Sequence, residues 1–333
     1  MSITISIVIP AFNGEKFIEE TINSVLRQTR QPDEFIILID KSTDNTENIC
    51  KRFDKSNVKI LHNKLPSGFV DAWNRSIKAC SSDYISILHQ DDLLEPDFLF
   101  HVEKGLLKHP EAGHLYCKCD YIDEHGKHYK GTAPLGHFNN KHFFKIIDGL
   151  TYAENYLFNR PHRCPGVVTK RDLFSLCPYR KVGLIADDDF FLRIGKYTKV
   201  VEIDAQLASF RHHPYSATRK YEDLSYTMAT NWYNLYKEFK KDHFFNDAII
   251  KYIYRIINKR IFRHYAGSII ENNPAAEQKF SNFVHKVKTD HVNDFKLVKI
   301  AYIFRNSIFF KYLIKFWISR KIFAQKISNF TAK

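Results

Sequence analysis

Four acidic clusters punctuate this 333-residue chain, in an order that suits the handling of a divalent cation and a diphosphate. Asp40 closes the apolar run of FIILID, and Asp91 and Asp92 close that of ISILHQDD. Asp123 follows YCKCDYI, and Asp187, Asp188 and Asp189 stand together in GLIADDDFFLRI. A carboxylate at the end of a short apolar run emerges where a buried strand meets a loop, and in an open α/β sheet that carboxyl edge is where ligands bind. Carboxylates gathered there can hold Mn2+ or Mg2+, and the cation can hold a diphosphate. A carboxylate that is not a ligand is left to take a proton from a hydroxyl.

The elements that must position these groups can be read in order. Ile5–Ile9 is an unbroken apolar run, as in a parallel strand covered on both faces. Phe17, Ile18, Thr21, Ile22, Val25 and Leu26 then share one helical stripe. Phe35–Ile39 reads as a second strand, and Ser42 or Thr43 can cap the helix carrying Ile49 and Phe53. Val58–Leu61 is a third strand, Gly68 opens a helix through Ala72 and Ile77, and Tyr84–Leu88 is a fourth strand. Pro96 begins a helix through Phe100 and Leu107, and Leu115–Tyr121 is a further strand. Strands alternating with helices of this length predict βαβ units and a mostly parallel central sheet, an α/β fold. Beyond Asp123 the spacing predicts a surface loop over Gly126–Asn140, a helix over Phe143–Phe158 and an extended segment over His162–Val168. Leu184–Tyr197 carries the acidic triplet and then helical spacing through Phe190, Phe191 and Ile194.

Composition bounds the rest. With 44% hydrophobic residues the chain can bury an ample core, which excludes a disordered protein. Its six cysteines lack the spacing of a disulfide framework, and no signal-peptide pattern precedes the strand in Ser2–Pro10, so reduced thiols in the cytoplasm are expected. Cys117 and Cys119 alternate along a strand and lack the paired spacing of a zinc site. The net charge of +13 lies entirely in residues 217–333, which hold 22 Lys and Arg against 9 Asp and Glu. Two regions are therefore expected: a neutral domain over 1–216 and a basic helical region over 217–333. The second is aromatic throughout, with Trp232, Tyr233, Leu235, Tyr236 and Phe239 followed by Tyr252, Tyr254, Ile256, Ile257, Ile261 and Phe262, and Pro274 marks a break.

Five segments in order resemble the family 2 glycosyltransferases, inverting enzymes of the GT-A nucleotide-diphospho-sugar transferase fold. They are SIVIPAFNGEKFIEETINSVLRQT, FIILIDKSTDNT, GFVDAWNRSI, ISILHQDDLLEPDFL and ADDDFFLRI, and the resemblance covers roughly Ser2–Ser216. The resemblance implies that Pro10, Ala11, Phe12 and Asn13 form a turn against a uridine. It places Asp40 on the uracil N3–H, and Gly68, Asn74, His89 and Asp91 about the nucleotide sugar. Asp91 and Asp92 become ligands of Mn2+ or Mg2+, completed by His213 from the FRHHP segment. Asp187 becomes the general base, with Asp188 and Asp189 as its alternatives on the same turn, and Arg193 orients a carboxylate. Arg160, His162 and Arg163 are candidates to meet an acceptor phosphate, or else solvated charges. The chain departs from the family pattern twice: His89 stands for the first carboxylate of the metal motif, and Trp73 stands where many relatives carry Arg.

The expected activity is transfer of a sugar from a UDP-sugar to a hydroxyl of a surface glycan, such as lipopolysaccharide or capsule, free or lipid-linked. A sugar nucleotidyltransferase would need a Gly-rich basic phosphate loop after the first strand, which IPAFNGEKF does not supply. A non-catalytic nucleotide- or glycan-binding protein of the same fold is the other reading, with His89 and Trp73 as its signs. In residues 295–327 basic side chains recur among Phe, Tyr, Ile and Trp317, and no charge-free run reaches the ~20 residues that span a bilayer. That pattern predicts an anionic membrane surface as partner, at the inner face of the cytoplasmic membrane, and no nucleic acid.

Overall fold

The computed structural model of the chain describes residues 3–54, 57–63, 68–129, 143–216, 224–270 and 273–290. It divides into two units, Met1–Ser216 and Ala217–Lys333. The first unit begins with β1 (Ile5–Ala11), α1 (Ile18–Leu26), β2 (Glu34–Asp40), α2 (Thr46–Lys51), β3 (Lys59–Asn63) and α3 (Phe69–Ala79). It continues with β4 (Tyr84–Ile87), β5 (Leu93–Leu94), α4 (Phe98–Lys108), β6 (Ala112–Ile122), β7 (Phe144–Ile147) and α5 (Gly149–Asn159). It ends with β8 (Val167–Lys170), α6 (Leu173–Leu176), a 3-10 turn at Gly183–Ile185, α7 (Ala186–Ile194) and β9 (Lys199–Arg211).

The strands form one sheet in the order β3-β2-β1-β4-β8-β6-β9-β5, with β7 also on β9. The pairings within β3-β2-β1-β4 and between β6 and β9 are parallel; β8 runs against both β4 and β6, and β5 and β7 run against β9. Mostly parallel therefore describes it: the parallel ladders are the long ones. Ile5, Ile7, Val8 and Ile9 of β1 are wholly buried, as a central strand covered on both faces must be. Helix α1 covers one face through Ile18, Ile22 and Val25, while Glu19 and Glu20 in its first turn suit the positive end of the helix dipole.

Two expectations are corrected beyond Asp123. Phe143–Phe158 is not one helix: Phe144–Ile147 pairs with β9, and α5 starts at Gly149 because the Asp148 carboxylate accepts from the Leu150 and Thr151 N–H groups. Within His162–Val168 only Val167 onward is strand, because Gly166, at φ +83, turns the chain beside the Cys117 thiol. The expected loop over Gly126–Asn140 is described only to Tyr129, where His128 bridges back to Ile122. The remainder of it lies outside the described residues.

One close approach fixes a helix that matters below. A Cβ on Gly149 would lie 1.7 Å from the Gly195 carbonyl oxygen, and one on Gly195 would lie 2.3 Å from that of Gly149. The start of α5 and the end of α7 thus meet backbone to backbone.

The second unit contains α8 (Leu224–Phe239), α9 (Asp247–Ile270) and α10 (Pro274–Thr289). Ile249, Ile253, Ile257, Ile261 and Tyr265 are buried at four-residue spacing along α9. Tyr265 stacks on Phe280 of α10 at 4.1 Å, and Tyr233 of α8 meets Phe283 edge-on at 5.4 Å. Asp290 accepts from the Tyr233 hydroxyl at 3.0 Å and from Lys237 at 2.8 Å. No helix among the described residues is long and apolar enough to cross a membrane. Residues 295–327 lie outside them.

Candidate functional site

The carboxyl edge of β4 leads straight into the turn His89–Asp92. There the His89 carbonyl accepts from the Asp92 N–H at 3.2 Å. Asp92 is 1% exposed: one carboxylate oxygen accepts the Arg211 backbone N–H at 2.9 Å, and the other has no hydrogen-bond partner among the described residues. Burial, and then the charge of Asp91, push the Asp92 carboxyl well above the usual carboxylate range. Asp91 is partly exposed, and its Oδ2 lies 2.8 Å from His213 Nε2, while the buried His213 Nδ1 has no partner among the described residues. One donor atom each from His89, Asp91 and Asp92 lie within 4.8 Å of one another. Hard oxygen donors beside a buried, unpartnered carboxylate oxygen are a set that a divalent cation fits.

Arg211, itself buried, ties this turn to its surroundings. Its guanidinium donates to the Asp91 carbonyl at 2.9 Å, the Asp123 carbonyl at 3.2 Å and Glu20 Oε2 at 2.6 Å. Asp123 therefore serves through its backbone, and its side chain accepts the N–H groups of His125 and Lys127 in its own turn. His89 packs flat on Trp73, with ring centroids 5.1 Å apart and planes 15° apart. Burial lowers the His89 pKa, against the charges of Asp91 and Asp187.

On the other side of the turn Gln90 grips the end of β1. Its side-chain amide accepts from the Phe12 N–H at 2.7 Å and donates to the Phe12 carbonyl at 2.9 Å, leaving the Phe12 ring 46% exposed. Gly14 is small enough to admit that amide, since a Cβ there would lie 2.4 Å from Gln90 Oε1. Asn13 takes φ +49, an orientation that a short polar side chain tolerates, and accepts from the Thr43 N–H at 2.8 Å. Asp40 is buried at the end of β2, where Asn63 donates to it at 2.7 Å and Arg75 at 3.3 Å.

Helix α7 separates the three adjacent aspartates. Asp189 is wholly buried and held by Arg180 and by Arg193, whose Nη2 lies 2.7 Å away. Asp188 is buried against the Tyr156 hydroxyl at 2.7 Å and the Arg160 guanidinium. Asp187 is half-buried, and among the described residues its carboxylate has a single partner, the Cys164 thiol at 3.6 Å. Burial and the charges of Asp187 and Asp92 push that thiol well up, so it stays protonated and donates. The charge of Asp187 is felt at His89 and, with that of Asp92, at Cys164, which brings α7 to the same edge as the 89–92 turn.

The sequence profile described as Glycosyl transferase family 2 matches residues 6–163, which run from β1 through the 89–92 turn to the approach to Cys164. Residues 6–163 carry a family 2 glycosyltransferase domain. Glycosyltransferase GlyG of Streptococcus pneumoniae is 35% identical over 101 residues, covering 30% of this chain and 34% of GlyG. The Escherichia coli protein named UDP-Glc:alpha-D-GlcNAc-diphosphoundecaprenol beta-1,3-glucosyltransferase WfgD is 36% identical over 89 residues, covering 27% of this chain and 35% of WfgD. The chain thus spans about a third of the length of either relative. Among solved structures, S. aureus TarS 1-349 in complex with UDP superposes with TM-score 0.52 at 17% identity, covering 90% of this chain and 91% of that one. A UDP-GlcNAc complex of the same protein gives 0.54 at 15% identity, with the same coverage. These two share the GT-A fold with this chain.

Within the glycosyltransferase domain the residues singled out by sequence take distinct places. Pro10, Ala11, Phe12 and Asn13 line the end of β1, and His89, Asp91 and Asp92 occupy the turn after β4. His213 reaches Asp91 without joining the three-donor cluster. Gly68 is the N-cap of α3 at φ −57, and open space surrounds its missing Cβ, so no conformational demand for glycine exists there. Asn74 donates to the Tyr179 carbonyl at 2.9 Å. Arg193 holds Asp189, not Asp187. His162 is 1% exposed and neither meets phosphate nor is solvated: the Tyr152 hydroxyl bridges its Nε2, at 2.9 Å, to His114 Nε2, at 3.1 Å. Sequence reasoning missed Gln90 and Arg211. Gln90 acts through a partner 78 residues away and Arg211 through partners 88 to 191 residues away, which no local spacing signals.

Proposed function

We propose that this protein transfers a sugar from a UDP-sugar to a hydroxyl of a surface glycan, inverting the anomeric centre in a single displacement. The observation that carries this reading is the sorting of three adjacent aspartates, two locked by arginines and one, Asp187, whose single partner among the described residues is a thiol, at the edge that also holds Asp91 and Asp92. A carboxylate with unfilled acceptor sites can take the proton of the attacking hydroxyl. As that oxygen bonds to the anomeric carbon, the bond to the diphosphate breaks and UDP leaves with the electron pair. Asp91 and Asp92 are the residues that would hold a cation, with His213 steadying Asp91. When bound, Mn2+ or Mg2+ neutralises charge growing on the departing diphosphate, a contribution of several kcal/mol.

Phe12, backed by Gln90, offers a ring face to the base or ribose, and Asp40 offers an acceptor at the end of β2. The UDP and UDP-GlcNAc complexes of TarS support the choice of donor class. The name of WfgD, which specifies a diphosphoundecaprenol acceptor, supports a lipid-linked glycan, and the basic aromatic stretch 295–327 suits an anionic membrane surface where such acceptors reside.

The test is UDP release from a panel of UDP-sugars with candidate lipid-linked acceptors, in Mn2+, Mg2+ or EDTA. Asp187→Asn should cut transfer by about 10²–10⁴-fold while leaving UDP binding and thermal stability unchanged. Normal turnover by this variant overturns the assignment of the base. The absence of both UDP binding and release in the wild type overturns the transferase reading and favours a protein that retains the fold without the activity.

A further inference from the structure

We propose that His89 supplies an imidazole nitrogen to the cation, that Trp73 is the positioning residue fixing its ring, and that this mixed nitrogen–oxygen set favours a first-row transition ion such as Mn2+ over Mg2+. The inference rests on the cation-assisted reading above and adds to it the identity of the third donor and of the ion. His89 Nδ1 lies 3.8 Å from Asp92 Oδ2, a separation suited to two ligands on adjacent positions of one ion. That oxygen is the buried one without a hydrogen-bond partner, so the imidazole edge and an unsatisfied carboxylate face a common point. Asp91 completes the set of three donor atoms within 4.8 Å, and a contraction of less than an ångström brings all three to coordination distance.

Metal-bound imidazoles are usually oriented by a hydrogen bond from the second ring nitrogen. Here orientation comes from stacking. The indole of Trp73 lies 15° from the plane of His89, and is itself braced edge-on by Phe69 and Tyr179, each with its centroid 5.0 Å away. Helix α3, on which Trp73 is buried, thereby holds the His89 ring on one face and leaves its edge toward Asp92. Trp73 and His89, the two departures from the family pattern, are thus in contact and form one unit. Carboxylates and water suit Mg2+, whereas an imidazole ligand adds affinity along the Irving–Williams series and little for Mg2+.

The experiment is cation binding to the full-length protein with UDP, followed by calorimetry for MnCl2, CoCl2 and MgCl2 and by pulsed electron paramagnetic resonance for Mn2+. The wild type should bind Mn2+ at least about tenfold more tightly than Mg2+, with Co2+ tighter still, and its bound Mn2+ should show nuclear modulation from a directly coordinated nitrogen. His89→Asp should abolish that modulation, keep Mn2+ binding and collapse the Mn2+-to-Mg2+ ratio. Trp73→Ala should weaken Mn2+ about tenfold, and Trp73→Phe, which keeps a stacking face, should restore most of it. Bound Mn2+ without nitrogen modulation in the wild type overturns the proposal, as does modulation that survives in His89→Asp, which would place the nitrogen on His213. Failure of any cation to bind overturns it as well. None of these readouts requires turnover, so a protein that shows the nitrogen signal yet transfers no sugar refutes the transferase reading alone.

Discussion

Asp92→Asn should stabilise the metal-free fold while removing its response to metal. In the wild type a carboxylate that is 1% exposed has one oxygen bonded to the Arg211 N–H and one without a hydrogen-bond partner among the described residues. Burial and the neighbouring Asp91 raise the pKa of this group in the fold, whereas in the unfolded chain it titrates near 3.9. The folded state therefore holds the proton more tightly than the unfolded one. The resulting stability is complete below the unfolded value and is lost as pH rises through the raised folded value. Asparagine is neutral and of the same shape. It can still accept from Arg211, and its NH2 group points toward His89 Nδ1, 3.8 Å from the present oxygen. An unsatisfied buried charged group costs about 1–3 kcal/mol or more. For a unit of this size 1 kcal/mol moves the melting temperature by about 2–4 °C, so in EDTA at pH 7 the variant should melt at least ~2 °C above the wild type.

That margin should shrink as pH falls through the raised folded pKa, because the wild-type carboxyl takes up its proton. Mn2+ should reverse the ranking: at 100 times its Kd a ligand adds about 2.7 kcal/mol to the wild type and little to a variant that has lost a ligand. Thermal unfolding followed by circular dichroism, with and without MnCl2, at several pH values, measures all three effects. A variant that melts below the wild type in EDTA at pH 7, or gains as much from Mn2+, refutes the argument.

Other expectations follow from neighbouring contacts. Asp189→Asn leaves Arg180 and Arg193 without their anion in the core and should cost about 3 kcal/mol or more, read as a lowered melting temperature, in contrast to Asp187→Asn. Gln90→Ala frees the Phe12 backbone and should raise KM for the UDP-sugar several-fold with a smaller change in kcat; an unchanged KM would show that the clamp is irrelevant to binding. In the full-length chain, replacing Lys311, Lys315, Arg320 and Lys321 together by Glu should reduce flotation on anionic vesicles at least about tenfold, and equal flotation would exclude those residues as the membrane contact.

Much of the fold was legible because its central strands carry their burial in local pattern: Ile5–Ile9 can only be covered on both faces. Part of the acidic edge was legible for the same reason, Asp40 and the Asp91–Asp92 pair each following such a run. Phe144–Ile147 was not, because four residues of FKII are too short for their pattern to tell strand from helix. The local cue that divides it from α5 was the capping Asp148. In α7 the sequence offers three equal aspartates, and what tells them apart lies elsewhere: Tyr156 and Arg160 on one side, Arg180 and Arg193 on another, Cys164 at a third. A helix turns about 100° per residue, so consecutive side chains must meet different neighbours, but which neighbours is decided by tertiary packing. Trp73 and His89 could each be singled out as unusual; that they touch could not be read from positions 16 residues apart on different elements.

The contact between Gly149 and Gly195 has a consequence for anyone who would redirect the protein to new substrates. With two peptide backbones already touching, the junction has no side chain to trim and no room to add one. Nine residues of α7 hang from it, Asp187 near their far end. Directed evolution at this joint would lose folded protein before it gained variety. Productive diversity has to come from exposed rings such as Phe12, where a side chain can change without moving a helix.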